Sequence, residues 1–254
     1  MTHFVYVYIK SNWKELYYSI KSIEKYFTGD RYKIFVVGDS PGIKGVTHIP
    51  CVREKGRINA KVFDSIKKLK VITDHSKIND DFIYMYDDIM LLRSLTLNNF
   101  KVTISNGHIG ENFDFSKFSY NPSPEWKSLF NRTIAKLVSE KKKTWNYETH
   151  LPRLFNKAKI SKIIQHYRLE ENAYLFNTLY FNNYTKAPFY DLKKTPTIKA
   201  GIYRPVDNYD TLRKMCLRRW FLNYNDNGLN KQLQDLIKNI VGPIGLNKKN
   251  ELWN

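Results

Sequence analysis

The hydrophobic and polar positions change period several times along the chain. Phe4-Val5-Tyr6-Val7-Tyr8-Ile9 is a nearly continuous β-rich run, the pattern of a strand buried on both faces in a parallel sheet. Trp13, Leu16, Tyr17, Ile20, Ile23 and Phe27 then recur at helical spacing, and Asn12 with Glu15 three residues on predicts a capping box at the helix start. Tyr32 to Val37 predicts a second strand, stopped by the turn formers Gly38-Asp39-Ser40-Pro41-Gly42, and Val46 to Cys51 a short third. Ile58, Val62, Ile66 and Leu69 predict a helix over 57–72, and Phe82 to Tyr86 another buried strand that runs into Asp87-Asp88. This order predicts an open, mostly parallel α/β sheet with right-handed crossovers.

Beyond residue 100 the pattern turns aromatic and Asn-rich. Helices are predicted near 125–140 (Trp126, Leu129, Phe130, Leu137), in stretches of 151–180, and near 229–240 (Leu229, Leu233, Leu236, Ile240). Asn121-Pro122-Ser123-Pro124 is the clearest break, and no long linker follows it. The expected organisation is an α/β part over 1–120 and a mainly helical part over 121–254, packed as one compact unit.

Length and charge narrow the possibilities. A chain of 254 residues can bury a full core. Its 42 Lys and Arg against 24 Asp and Glu leave a net charge of +18, which points to a polyanionic partner, nucleic acid or an anionic membrane surface, or else to codon bias in an AT-rich genome. Cys51 and Cys216 are far apart and have no metal-ligand spacing, so reduced thiols in a cytoplasmic protein are expected. The start MTHFVYVYIK lacks a basic segment followed by an apolar one, and no run of about 18 apolar residues occurs anywhere. Neither a standard secretion signal nor a transmembrane segment is therefore expected.

Asp87-Asp88 is the strongest chemical signal. Two carboxylates at the carboxyl end of a buried strand sit where open α/β sheets bind ligands, and ionised groups at that depth need a partner. A hard divalent cation, Mg²⁺ or Mn²⁺, bridged to phosphate oxygens fits that need, and the alternative is a pair that merely ends the strand in a solvated turn. Asp80-Asp81 precede the same strand, face its opposite end and read as solvated surface.

The run Phe82 to Leu91, a hydrophobic strand carrying an acidic pair, resembles the metal-binding element of GT-A glycosyltransferases, whose Asp-x-Asp variants hold a nucleotide-sugar diphosphate through a metal. Glu15 to Tyr26, followed by Ile34 to Asp39, is similar to the Stealth family of capsule sugar-phosphate transferases. Glu148-Thr149-His150-Leu151-Pro152 resembles a downstream His-x-Pro element of that family, and Phe221 to Asp226 a C-terminal Asn-Asp element. The opening motif of Stealth proteins is absent, and Tyr86 stands where their Asn precedes the acidic pair.

The resemblance implies a GT-A fold with helices on both faces of the sheet and a helical acceptor lobe. It places Tyr8, Ser11 and Asp39 around a nucleobase and ribose, although Tyr8 also suits a core and Asp39 a turn. Arg57, Asn59 and Lys61 begin the helix before the strand Phe82 to Tyr86, where the guanidinium and ammonium groups would neutralise a diphosphate leaving group or form an exposed basic helix face. Glu148 and His150 are candidates to take the acceptor hydroxyl's proton, with Pro152 suited to a first helical turn; Asp226 is a further base candidate or a plain turn residue. His166 is a candidate late metal ligand or a core residue.

Basic pairs and triplets gather in the second half, at Lys141-Lys142-Lys143, Lys193-Lys194, Arg213-Lys214, Arg218-Arg219 and Lys248-Lys249, several with aromatics nearby. The expected function is thus metal-dependent transfer from a nucleotide sugar, foremost a UDP-sugar, to hydroxymethylated phage DNA in the host cytoplasm. A glycan acceptor, Stealth-like sugar-phosphate transfer and a non-catalytic nucleic-acid-binding domain are the alternatives.

Overall fold

A computed structural model describes residues 1–11, 13–109 and 122–242. The first half runs β1 (Thr2–Tyr8), α1 (Glu15–Tyr26), β2 (Tyr32–Gly38), β3 (Thr47–Pro50), α2 (Ala60–Asp74), β4 (Asp81–Met85), β5 (Ile89–Leu91), α3 (Leu97–Lys101) and β6 (Ile104–Ser105). The second runs α4 (Pro124–Ser139), β7 (Arg153–Asn156), α5 (Lys157–His166), α6 (Phe176–Tyr184), β8 (Tyr190–Asp191), β9 (Lys199–Ile202), α7 (Tyr209–Cys216), β10 (Phe221–Tyr224) and α8 (Lys231–Val241).

The central sheet has the order β3-β2-β1-β4-β7, parallel except for β7 at its edge. The unbroken apolar run of β1 follows from its central place, because alternate side chains enter different layers. Phe4, Tyr6 and Tyr8 pack with Leu16, Ile20 and Ile23 of α1 on one face. Val5 packs on the other face with Ile66, Leu69 and Ile72 of α2 and Ile160, Ile163 and Ile164 of α5. Shortening a fully buried member such as Ile72 to Ala would cost about 2–5 kcal/mol.

A second sheet, β5-β10-β9, grows from the chain just past Asp88. β10 lies in its middle, antiparallel to β5 and parallel to β9, and α7 and α8 cover it through Leu212, Leu233, Leu236 and Ile237. β6 and β8 form a short parallel pair. The mainly helical second half therefore gives β7 to the central sheet and β9 and β10 to the second.

Several local expectations change. α1 begins at Glu15, with Lys14 as N-cap and no side-chain cap; Asn12 lies outside the described residues. α2 begins at residue 60, after Asn59 in the left-handed region at φ 60°. The stretch 151–180 is not wholly helical, because 153–156 pairs as β7, so Pro152 leads into a strand and not a helix. No described helix is long and apolar enough to cross a membrane.

Candidate active site

The winding of the central sheet reverses between β1 and β4: β2 and β3 are laid down on one side of β1, and α2 returns the chain to the other. A crevice opens at the carboxyl ends of strands at such a point. Tyr8 ends β1 there, and Asp87-Asp88 follow β4.

Three remote segments meet at Asp88. His150 Nε2 bonds its two carboxylate oxygens at 2.9 and 3.0 Å, and the Asn223 side-chain amide of β10 donates to Oδ2 at 3.2 Å. The Tyr86 ring stacks on the His150 ring, centroids 4.1 Å apart and planes 24° off parallel. His150 sits at φ 49°, an uncommon conformation for a residue with a Cβ, and the turn around it is tied down on both sides. Lys199 of β9 donates to the Thr149 carbonyl at 2.7 Å, and the buried Arg153 guanidinium donates to the Tyr147 carbonyl and Thr149 hydroxyl. Asn223 is itself oriented by Tyr203, whose hydroxyl donates to its Oδ1 at 2.9 Å.

The electrostatics are those of crowded acids. Burial and then the Asp88 carboxylate push the Asp87 carboxyl up to about 7. Glu15, buried at the first turn of α1, is pushed up to about 7 by burial and then by Asp87, with Asp88 and Asp226 adding to the effect. Burial holds the Lys199 ammonium down at about 7, against the pull of Asp88. The sequence pointed to Glu15 as a cap partner and as the start of the Stealth-like stretch, not as a site residue. The available signal was a polar line at i, i+4 and i+7 on the face of α1 that packs inward: Ser19 bonds Tyr6 and the Ile89 carbonyl, and Ser22 accepts from the Leu91 N–H.

Among the described residues no cluster of three or more His, Cys, Asp or Glu could hold a metal unaided. Asp87 and Asp88 nevertheless fit a hard cation that completes its shell with water and phosphate oxygens. The Asp87 carboxyl, half-buried and held up by burial and then by the Asp88 carboxylate, is an acceptor pair short of positive charge.

The other predicted residues separate into groups. Tyr8, Ser11 and Asp39 do lie together: the Ser11 backbone bonds the Tyr8 hydroxyl, the Ser11 hydroxyl donates to the Trp13 carbonyl at 2.8 Å, and Asp39 accepts from the Lys10 N–H at 2.9 Å. Gly38 is what lets β1 and β2 close there. It sits at φ 130°, and a Cβ would lie 2.1 Å from the Tyr8 carbonyl oxygen. Arg57 lies over the Phe63 ring, 3.2 Å from its centroid, with Glu54 at 3.5 Å, and Lys61 is exposed on the first turn of α2.

Glu148 is occupied. It accepts from the Thr178 N–H and hydroxyl at 2.9 and 3.0 Å and from Asn177 at 2.9 Å, so its carboxylate closes the N-terminus of α6. Asp226 is exposed in the turn after β10, and its field reaches Glu15 and Tyr224. His166 is neither ligand nor core: it is exposed on α5 and bonds Glu140 at 3.1 Å, and His150 is the histidine beside the acids. A cleft of about 560 Å³ lined by Glu140, Lys142, Lys162, His166 and Tyr184 lies apart from them. Lys141, Lys142 and Lys143 follow α4, Arg218 and Arg219 form the turn before β10, and Lys248-Lys249 fall outside the described residues.

No family model matches this chain, and no curated protein does. Among solved structures, the galactosyltransferase LgtC in complex with donor and acceptor sugar analogues is similar over 95% of each chain, with a TM-score of 0.50 and 12% identity. The fold is GT-A. An active-site mutant of LgtC gives a TM-score of 0.49 at 11% identity over the same share of both chains. At such identities the likeness to LgtC concerns the course of the backbone.

Proposed function

We propose that this chain is a divalent-cation-dependent glycosyltransferase that moves a sugar from a nucleotide-sugar donor to an acceptor hydroxyl. The observation that carries the reading is the meeting of Asp88, His150 and Asn223 beside Asp87 at the sheet's crevice. Asp87 and Asp88 would hold the cation, which supplies positive charge against the diphosphate leaving group. Tyr8, Ser11 and Asp39 line the neighbouring strand ends and would receive the nucleoside.

His150 is the better base. Its Nε2 faces the Asp88 carboxylate, which favours a proton on that nitrogen and leaves Nδ1 to accept one from the hydroxyl. Its side chain is 44% exposed, so an acceptor can reach it, whereas three donors already occupy most of the Glu148 lone pairs. Accordingly His150→Ala should lower turnover by roughly 10²-fold. Glu148→Gln should instead cost about 1.5–3 kcal/mol of stability with far less effect on turnover.

Sugar-phosphate transfer is the second reading. It is favoured by the same contact, since the acidic pair, the His-x-Pro segment and the Asn-Asp segment that resemble Stealth proteins come together at one carboxylate. Hydroxymethylated DNA as acceptor rests on the net charge and on the basic clusters of the second half with aromatics nearby. Incubation with a panel of nucleotide sugars, with Mn²⁺ or EDTA, tests the proposal through nucleotide release. Loss of release in EDTA supports it, and no release from any donor sinks it. Product mass separates the two readings, because phosphate travels with the sugar only in the second.

A further inference from the structure

Two exposed apolar side chains lie near the ends of a stretch on the second half of the molecule that is joined by ring contacts on one side and by the chain itself on the other. Phe189 is 69% exposed and Leu217 62% exposed. The Phe189 ring meets Tyr190 edge-on at 4.7 Å, Tyr190 meets Trp220 at 6.0 Å, and Trp220 follows Leu217-Arg218-Arg219 directly in the chain. Arg218 stands at φ 63°, and both Leu217 and Arg218 are exposed on that turn.

The same stretch gathers basic groups that are far apart in sequence. Lys143 donates to the Lys186 carbonyl at 2.7 Å, three residues before Phe189, so the Lys141-Lys142-Lys143 cluster reaches the aromatic end. Lys193 and Lys194, both exposed, follow β8. The acid between them and Tyr190 is Asp191, which is half-buried and accepts from the Lys193 N–H at 3.0 Å. Singly exposed apolar residues are ordinary, but a phenyl and an isobutyl group joined by aromatics and rimmed by lysines and arginines form an amphipathic surface.

We propose that this surface docks the protein onto a bilayer containing anionic phospholipid, with Phe189 and Leu217 entering the headgroup boundary and the basic rim on the lipid phosphates. Charge complementarity supplies the argument for a polyanion, and the apolar tips decide which one. A single-stranded nucleic acid needs ring faces to stack on, and Leu217 has none, whereas both tips suit acyl chains. Trp220 leads into β10, whose Asn223 touches Asp88; three residues at ~3.3 Å each put the crevice about 10 Å along that strand from the docking surface. An acceptor anchored in lipid would then be presented at the crevice. The docking itself does not depend on the reaction proposed above.

Co-sedimentation of the full chain with phosphatidylglycerol–phosphatidylcholine vesicles tests it. Pelleting is expected with these vesicles, much less with pure phosphatidylcholine, and is expected to fall as salt rises. Phe189→Ser with Leu217→Ser should release the protein. Arg218→Gln with Arg219→Gln should weaken binding by about fivefold per charge removed. All four positions lie outside the core, and unchanged melting curves confirm intact folding. Absence of pelleting, equal pelleting on neutral vesicles, or wild-type pelleting by the Phe189 and Leu217 variant overturns the proposal. Loss of DNA binding in these variants, with no vesicle binding by the parent, assigns the surface to nucleic acid instead. Asp88→Asn should pellet like the parent, so a failed transferase reading and a failed docking surface are told apart.

Discussion

Two pairs of aspartates bracket β4, and only their surroundings distinguish them. At its amino end Asp80 and Asp81 are exposed; Asp81 accepts from the Asn156 side chain at 2.8 Å, and the Asp80 carbonyl takes the Lys157 N–H at 2.8 Å. At its carboxyl end Asp87 is held up to about 7 by burial and its neighbour, and Asp88 is gripped by His150 and Asn223. The first pair has water and an edge strand for company. The second faces other acids, a histidine and a crevice at the switch point of the sheet. The two ends of the strand differ in what the topology brings against them, which is what makes the pair at the carboxyl end the candidate for chemistry.

Asp88→Asn should break the contrast most severely, lowering sugar transfer by roughly 10³-fold in steady-state assays through loss of charge at the cation and of the His150 partner. Asn223→Ala removes one donor from the same carboxylate and should cost roughly tenfold, with weaker Mn²⁺ affinity by calorimetry.

pH sharpens the contrast without mutation. Asp87 and Glu15 have carboxyls raised from 3.8 and 4.5 to about 7, so their folded state is favoured while they stay protonated, and that contribution is lost as pH rises from about 4 through about 7. In EDTA the melting temperature should fall by roughly 5 °C across that interval, and Mn²⁺ should reverse most of the fall near pH 7.5. Lys199, lowered from 10.5 to about 7, acts with the opposite sign and above that interval, adding stability as pH climbs from about 7 toward 10.5. Asp81→Asn closes the series, with turnover unchanged and stability altered by less than about 0.5 kcal/mol.

Much of the first half was legible because its strands are long and its helices amphipathic. β1, β2 and β4 are five to seven residues of nearly pure β-formers, and α1 and α2 repeat their apolar positions at helical spacing. The acidic pair was legible because a buried strand ending in two carboxylates has no packing explanation. The second half resisted for physical reasons. β7, β9 and β10 are four residues each, too short for period two to be told from a helical turn, and their partners lie far away in sequence. His150 could be singled out by its proline-bearing turn, yet nothing in its spacing said that it would meet Asp88. For the same reason Asp226 drew attention while Asn223, three residues earlier, makes the contact. Glu148 was singled out by its type and neighbours, and its bonds to Asn177 and Thr178 at the start of α6 are a tertiary fact.

The place of β10 between β5 and β9 fixes a sequence of events in the life of the molecule. Asn223 reaches Asp88 across 135 positions of chain, so that contact must wait until both have been synthesised, whereas the pairings of β1, β2 and β4 need only the chain up to Met85. During synthesis, the acidic pair leaves the ribosome long before its last partner does. A nascent or interrupted chain that stops short of residue 223 therefore carries the carboxylates without that partner, and the set of contacts on Asp88 is complete only once β10 has emerged.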